Sequence, residues 1–153
     1  MNKELIYKTG NLLNAPAEVL VNTVNTVGIM GKGVALQFKG AFPQNFANYQ
    51  KVCRDGKLRP GTLLTFKETS EWYGEKLIIN MATKDHWRNP SRYEYIQTGL
   101  ELLGEWLWQS SVETIAMPAL GCGNGGLDWN KVQGMIAREL HYVKQEIIVY
   151  LPT

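Results

Sequence analysis

The sequence predicts an α/β fold built as a layered, mostly parallel sheet. Three observations lead there. Short, β-branched apolar runs alternate along the chain with longer segments of helical periodicity. Three polar or glycine-rich stretches, 22–33, 83–85 and 121–126, fall at the ends of predicted strands, where open α/β sheets bind ligands. The length of 153 residues suits one domain with a full hydrophobic core.

Glu4 to Tyr7 reads as the first strand, running into Thr9-Gly10-Asn11-Leu12-Leu13. There Gly10 marks a tight backbone position, and the Asn11 amide suits a turn cap or a pairing with a base edge. Pro16 separates this strand from the stretch around which the chain is organised, VLVNTVNTVGIMGKGVALQF from Val19 to Phe38. Val19-Leu20-Val21 is a buried strand, Gly28, Gly31 and Gly33 form a loop, and Val34 to Lys39 is a helix ending near Gly40. Strand, glycine loop and helix together point backbone N–H groups and a helix N-terminus at a bound anion. No GK[ST] closes this loop and its glycines do not fall as GxGxxG, so it is neither a Walker A loop nor a dinucleotide fingerprint.

A second helical segment, Gln44 to Arg54, follows Pro43; Gly56 and Pro60-Gly61 signal turns before a strand at Thr62–Phe66. A polar hairpin around Gly74 leads to the apolar strand Lys76–Ala82, which delivers Thr83-Lys84-Asp85 to its C-terminal end. Ser91 with Glu94 forms a capping-box signature for the helix Tyr93–Trp108, whose Ile96, Leu100, Leu103 and Leu107 recur at three- and four-residue spacing. Thr114–Ala119 is the next strand. It empties into Gly121-Cys122-Gly123-Asn124-Gly125-Gly126, whose four glycines let backbone N–H groups approach a phosphate. Asp128 is placed to cap a helix from Trp129 to His141, and Glu146–Tyr150 is the last strand.

The composition narrows the function classes. No apolar run approaches the ~20 residues of a membrane span, and the N-terminus does not have the form of a signal peptide. Cys53 and Cys122 make no disulfide framework, and with His86 and His141 far apart there is no zinc spacing. The expectation is a reduced, cytoplasmic, metal-free protein. Net charge is +2, yet Lys32, Lys39, Lys51, Arg54, Lys57, Arg59 and Lys67 face one acid, Asp55, between Val19 and Lys67. Such a run is either a solvated helix and loop or a face that attracts a polyanion.

Taken together, GNLL (Gly10–Leu13), VNTVNTVGIMGKGVALQF, ATK (Ala82–Lys84) and PALGCGNGGLDW (Pro118–Trp129) resemble the macrodomain family of ADP-ribose-binding domains. Within it they resemble the DarG branch of DNA ADP-ribosyl glycohydrolases, antitoxins of DNA ADP-ribosyltransferase toxins. That branch is related to the terminal ADP-ribose protein glycohydrolase. The resemblance spans nearly the whole chain. It implies a three-layer α-β-α sandwich with a mixed, mostly parallel central sheet over residues 1–153, expected to be the N-terminal domain of a longer protein. It implies no cofactor, with ADP-ribose as ligand and product. The partners it implies are ADP-ribosylated DNA in single-stranded form and the cognate toxin, the latter met through a further C-terminal domain.

The resemblance also assigns roles. Asn11, with Leu12 beside it, takes the place of the family's adenine-binding aspartate, and Asn22 and Asn25 match asparagines near the distal ribose. Gly31, Lys32, Gly33 and Val34 would form the first phosphate loop; Gly121, Cys122, Gly123, Asn124 and Gly125 would belong to the second. Lys84, preceded by Thr83, matches the lysine of glycohydrolysis, acting either by attack on the anomeric carbon or by positioning sugar and leaving group. The protein glycohydrolases place an assisting aspartate in the GCG loop. Gly125 falls near that place here, so the acid is absent or comes from Asp85 or Asp128. Without the resemblance, Lys84 would read as a surface lysine paired with Asp85, and Cys122 as a small residue packed under its loop. Trp87, His86, Arg88 and Tyr93 follow Lys84 closely and have the composition of a wall that stacks on an exposed base, while packing at the start of the helix suits Tyr93 equally well and the pattern leaves the other three open.

Overall fold

The computed structural model describes residues 5–152; Glu4, the expected start of the first strand, and Thr153 lie outside them. The strands are β1 (Ile6–Lys8), β2 (Val19–Val24), β3 (Leu63–Ser70), β4 (Gly74–Ala82), β5 (Thr114–Pro118) and β6 (Glu146–Tyr150). The helices are α1 (Gly33–Ala41), α2 (Pro43–Arg54), α3 (Tyr93–Gln109) and α4 (Trp129–Leu140), with a short 3-10 turn at Leu12–Asn14. Among the described residues no helix is long and apolar enough to cross a membrane.

One sheet carries all six strands in the order β1-β6-β5-β2-β4-β3. Every neighbouring pair is parallel except β3 and β4, an antiparallel hairpin in register from Leu63↔Met81 to Ser70↔Gly74. The period of two in the strands sorts their side chains into two cores. Val19, Val21, Ile79, Met81, Ile115, Met117, Ile147 and Val149 face α3 and α4, meeting Ile96, Leu100, Leu103, Leu107, Val132 and Ile136. Leu20, Ile78, Ala116 and Ile148 face the other way, onto Phe38 and Phe42 and the Leu12-Leu13 turn. Val24 and Ala82 meet Tyr49 of α2 on that side. The result is the expected α-β-α sandwich with a mixed, mostly parallel sheet.

The central strand has unequal neighbours. β2 pairs with β4 along its whole length, from Val19↔Leu77 to Val24↔Ala82. Its ladder with β5 covers only Val19↔Ile115 and Leu20↔Ala116. The carboxyl ends of β2 and β5 therefore splay. The connections after these strands leave on opposite sides of the gap, the arrangement in which α/β sheets form ligand crevices.

Most element ends shift by a residue or two from expectation, and three differences have a specific physical reason. Helix α1 runs through Gly40 and stops at Ala41, because Phe42 precedes Pro43 and is forced out of helical geometry (φ −132°, ψ 72°). Ser91 is not the cap of α3; Arg92 occupies that position without a side-chain cap, and the Ser91 N–H donates instead to the Gly125 carbonyl at 3.0 Å. Strand β3 extends past Phe66 to Ser70 because β4 pairs with it throughout. Within that extension Glu68 is buried: its carboxylate accepts the N–H groups of Gln44 and Asn45 at 3.3 and 2.7 Å, and so caps the N-terminus of α2.

Candidate active site

The first wall of the crevice follows β2. Asn25, at its end, organises the glycine loop with every polar atom of its side chain. Its Nδ2 donates to Ile29 O at 2.8 Å, and its Oδ1 accepts from the N–H groups of Val27 and Ile29 at 3.1 and 3.4 Å. The buried Tyr49 hydroxyl reaches Asn25 O and Oδ1 at 2.7 and 2.8 Å. Burial is the chief cause that keeps the Tyr49 phenol well above its ordinary pKa, so it remains a donor. Gly31, Lys32 and Gly33 are exposed at the mouth, Val34 is half-buried, and Gly33 (φ +58°) turns the chain into α1. No side chain caps α1 and no acid sits in its first turn, which leaves the amide end of the helix dipole facing outward for an anion.

Asn22 lies deeper than its match implies. It is fully buried, and its Nδ2 donates to Asn80 Oδ1 at 3.2 Å across the β2–β4 pair. Asn80 Nδ2 donates in turn to Asn45 Oδ1 at 2.8 Å and to Leu64 O at 3.0 Å. Asn22 Oδ1 has no hydrogen-bond partner in this structure. Three buried amides thus link β2, β4 and α2 directly beneath the first glycine loop.

Lys84 follows β4 and crosses the crevice. Thr83 before it is buried and donates its N–H to Val24 O at 2.9 Å, which fixes the exit of β4 against that of β2. The Lys84 Nζ donates to the Asn124 carbonyl at 3.0 Å, so the lysine of one wall reaches the glycine loop of the other. Its pKa is lowered by burial and, second, by the positive charge of Lys32. Asp85 is no partner for it. The Asp85 carboxylate accepts from His86 N–H at 2.6 Å and Asn89 Nδ2 at 2.9 Å within its own turn; these bonds, Asn89 first, hold its pKa below the ordinary carboxylate value.

The second wall follows β5. Gly121 (φ +72°) accepts the Leu127 N–H at 2.9 Å, closing the loop on itself. A Cβ at Gly33 would meet Asn124 Nδ2 at 3.2 Å, which shows how closely the two glycine loops approach. Gly123 and Asn124 are exposed, whereas Gly125 is buried. A Cβ at Gly125 would overlap the Gly121 carbonyl and the Ser91 hydroxyl, so no carboxylate can grow from that position without rebuilding the loop. The Asp128 carboxylate accepts Asn130 N–H at 3.1 Å as the cap of α4, while its own N–H donates to the Tyr93 hydroxyl at 3.1 Å. Cys122 is half-buried, and burial with the nearby Asp128 charge pushes its thiol up to about 11, far from a nucleophilic thiolate.

Lys32, Gly33, Lys84 and Asn124 are therefore brought together at one place. Asn11 and Leu12 follow β1: Asn11 is exposed with its Oδ1 accepting Leu13 N–H at 3.0 Å, and Leu12 is buried in the core against α1. The basic run is dispersed over α1, α2, the following loop and β3, and Lys67 is paired with Glu75 at 3.1 Å. A groove of about 580 Å³ between α3 and α4 is lined by Tyr93, Gln97, Lys131 and Arg138 but by none of the loop glycines. Sequence reasoning missed Tyr49, Asn45 and Asn80, the buried supports of the first loop. Only Asn80 left a signal, as an amide inside an otherwise apolar strand. It also misread Ser91, which is buried under the second loop.

Comparison with known proteins agrees with this geometry. A family model described as Macro domain matches residues 21–136. A Thermus aquaticus protein named DNA ADP-ribosyl glycohydrolase is 47% identical over 149 residues, covering 97% of this chain and 41% of the relative. Its Mycobacterium tuberculosis namesake is 41% identical over 97% of this chain and 42% of its own. This chain thus spans about two fifths of the length of these curated relatives. Among solved structures, the macrodomain of Mycobacterium tuberculosis DarG superposes with a TM-score of 0.91 at 41% identity, covering 98% of this chain and 99% of that one. With that family model matching residues 21–136 and the fold superposing over nearly its whole length, the chain belongs to the Macro domain family.

Proposed function

We propose that this domain binds ADP-ribose between its two glycine loops and hydrolyses the N-glycosidic bond joining it to thymidine bases in single-stranded DNA. In this reading it acts as the antitoxin of a DNA ADP-ribosyltransferase. The observation that carries the reading is Lys84, whose amine spans the crevice to Asn124 O with its pKa lowered by burial. The names of the relatives covering nearly all of this chain favour DNA as the substrate.

The uncapped α1 N-terminus and the amides of 123–125 offer donors to the two phosphates from opposite sides, those of Cys122 and Gly126 being spent on Ala119 O and Gly123 O. In this reading the distal ribose lies toward Lys84. A lowered pKa increases the share of free amine at neutral pH, and the free amine is the nucleophile. Attack on the anomeric carbon forms the C–N bond to Lys84 and expels the base nitrogen, which takes up a proton. Ring opening gives an imine, and water then releases ADP-ribose and restores the amine. Gly125 leaves no room for a loop carboxylate and Asp85 and Asp128 hold backbone amides, so the lysine carries the chemistry in this reading.

The test is to incubate the chain with an ADP-ribosylated thymidine oligonucleotide and, in parallel, with a glutamate-ADP-ribosylated protein. ADP-ribose is expected from the oligonucleotide alone. The Lys84→Ala variant is expected to bind ADP-ribose in calorimetry and to release none. Release from protein alone moves the domain to the protein glycohydrolases, and a Lys84→Ala variant that cleaves normally overturns the role of the lysine.

A further inference from the structure

The turn after Lys84 holds a second feature that hydrolysis itself does not use. Trp87 is 44% exposed. The Arg88 guanidinium lies 4.8 Å from its ring centre, and the His86 ring lies 5.4 Å away at a tilt of 34°. The three planes form one short stack on the surface. Single exposed apolar side chains are ordinary on a protein surface; what sets Trp87 apart is the pair of planar polar groups against it and its place three residues after Lys84.

The turn is built to hold that stack still. His86 N–H and Asn89 Nδ2 both bond Asp85 Oδ1, Arg88 N–H donates to His86 Nδ1 at 3.1 Å, and Asn89 N–H donates to His86 O at 3.0 Å. The turn is also tied to the first glycine loop, since the Thr26 hydroxyl and N–H both donate to the Asp85 carbonyl, at 2.6 and 3.2 Å. The backbone of the turn is therefore fixed relative to Lys84, and three residues of chain limit the separation of the Trp87 and Lys84 Cα atoms to about 11 Å. At about 3.4 Å per stacked base, that is roughly three nucleotides.

Aromatic and guanidinium planes side by side, with Lys84 and Lys32 near and the one local carboxylate engaged in its turn, suit a flat base on a phosphate strand. A purely apolar partner would not call for the two flanking polar planes. We infer that the His86-Trp87-Arg88 stack is the docking platform for an unpaired base neighbouring the modified thymidine, and so selects single-stranded DNA over protein substrates. The inference rests on the proposed function and adds the element that reads the strand.

The experiment compares wild type, Trp87→Ala and Trp87→Phe on an ADP-ribosylated single-stranded oligonucleotide and on ADP-ribosylated thymidine alone, with ADP-ribose affinity by calorimetry as a control. Loss of one base stack predicts a KM for the oligonucleotide raised about fivefold or more in Trp87→Ala. Little change is expected in Trp87→Phe, on the mononucleoside, or in ADP-ribose affinity. An unchanged oligonucleotide KM overturns the platform, as does an equal loss on the mononucleoside. If wild type cleaves no ADP-ribosylated DNA, the functional reading fails separately. The platform is then decided by fluorescence anisotropy of an unmodified single strand: weaker binding by Trp87→Ala sustains it, and equal binding overturns it.

Discussion

The second glycine loop allows a test in which neighbouring glycines should behave differently for stated reasons. Gly125→Ala places a methyl into the Gly121 carbonyl and the Ser91 hydroxyl. The serine can rotate, but the carbonyl cannot move without losing its bond from Leu127 N–H. Overpacking of about 1–3 kcal/mol and one weakened hydrogen bond of about 1 kcal/mol give a cost of about 2–4 kcal/mol. For a domain of this size that lowers Tm by about 5–15 °C. Gly126→Ala meets no neighbour but must hold φ +77°, at about 1 kcal/mol and a few degrees. Gly123→Ala meets no neighbour and its φ is not positive, so stability should be unchanged or slightly higher. Its methyl should instead weaken ADP-ribose affinity, because it stands on the exposed face of the loop. The assay is circular-dichroism melting of the three variants beside ADP-ribose calorimetry. Equal Tm losses at 123 and 125 would refute the packing argument.

Three further outcomes follow from the same geometry. The lowered pKa of Lys84 predicts kcat that rises with pH and levels off once the amine is free; Lys32→Ala removes one cause of that lowering and should move the rising limb to higher pH. An unmoved limb in a pH series at saturating substrate would show that Lys32 does not act on Lys84. Asp128→Asn keeps a capping oxygen on α4 and removes the charge, so Tm and kcat should both stay near wild type, whereas a tenfold fall in kcat would make Asp128 an acid–base group. Tyr49→Phe leaves acceptors of Asn25 without their buried donor, at about 1–3 kcal/mol and a Tm lower by roughly 3–10 °C; an unshifted melting curve would show that the hydroxyl does not support the loop.

The elements legible in the sequence were those whose cause is local. Val19-Leu20-Val21 and Ile78-Ile79 announce buried strands by composition, Asp128 announces a cap, and clustered glycines announce loops. The supports of the site were not legible, because their cause is tertiary. Asn22, Asn45 and Asn80 become one amide cluster only when β2, β4 and α2 meet, across 58 and 35 residues of sequence. Ser91 carries a local capping signature, yet it is drawn under Gly125 by a bond that no local pattern encodes. Lys84 shows both limits. Strand periodicity places it after β4, but its acceptor, Asn124, is 40 positions away.

The unequal pairing of β2 divides the site into two mechanical bodies. Lys84 and the first glycine loop hang from strands laced together over six residues, further pinned through Thr26 and Thr83. The second glycine loop hangs from β5, which shares only two rungs with β2 and is laced instead to β6 along its length, while Ser91 and Tyr93 near the head of α3 bond the loop and the residue that caps α4. Entry of a ligand between Lys84 and Asn124 has to break that single hydrogen bond, and of the two walls the one less tied to the central strand is 121–126. The backbone that carries Lys84 and the phosphate loop beside it are pinned to each other, so any yielding falls to the lysine side chain and to the opposite wall.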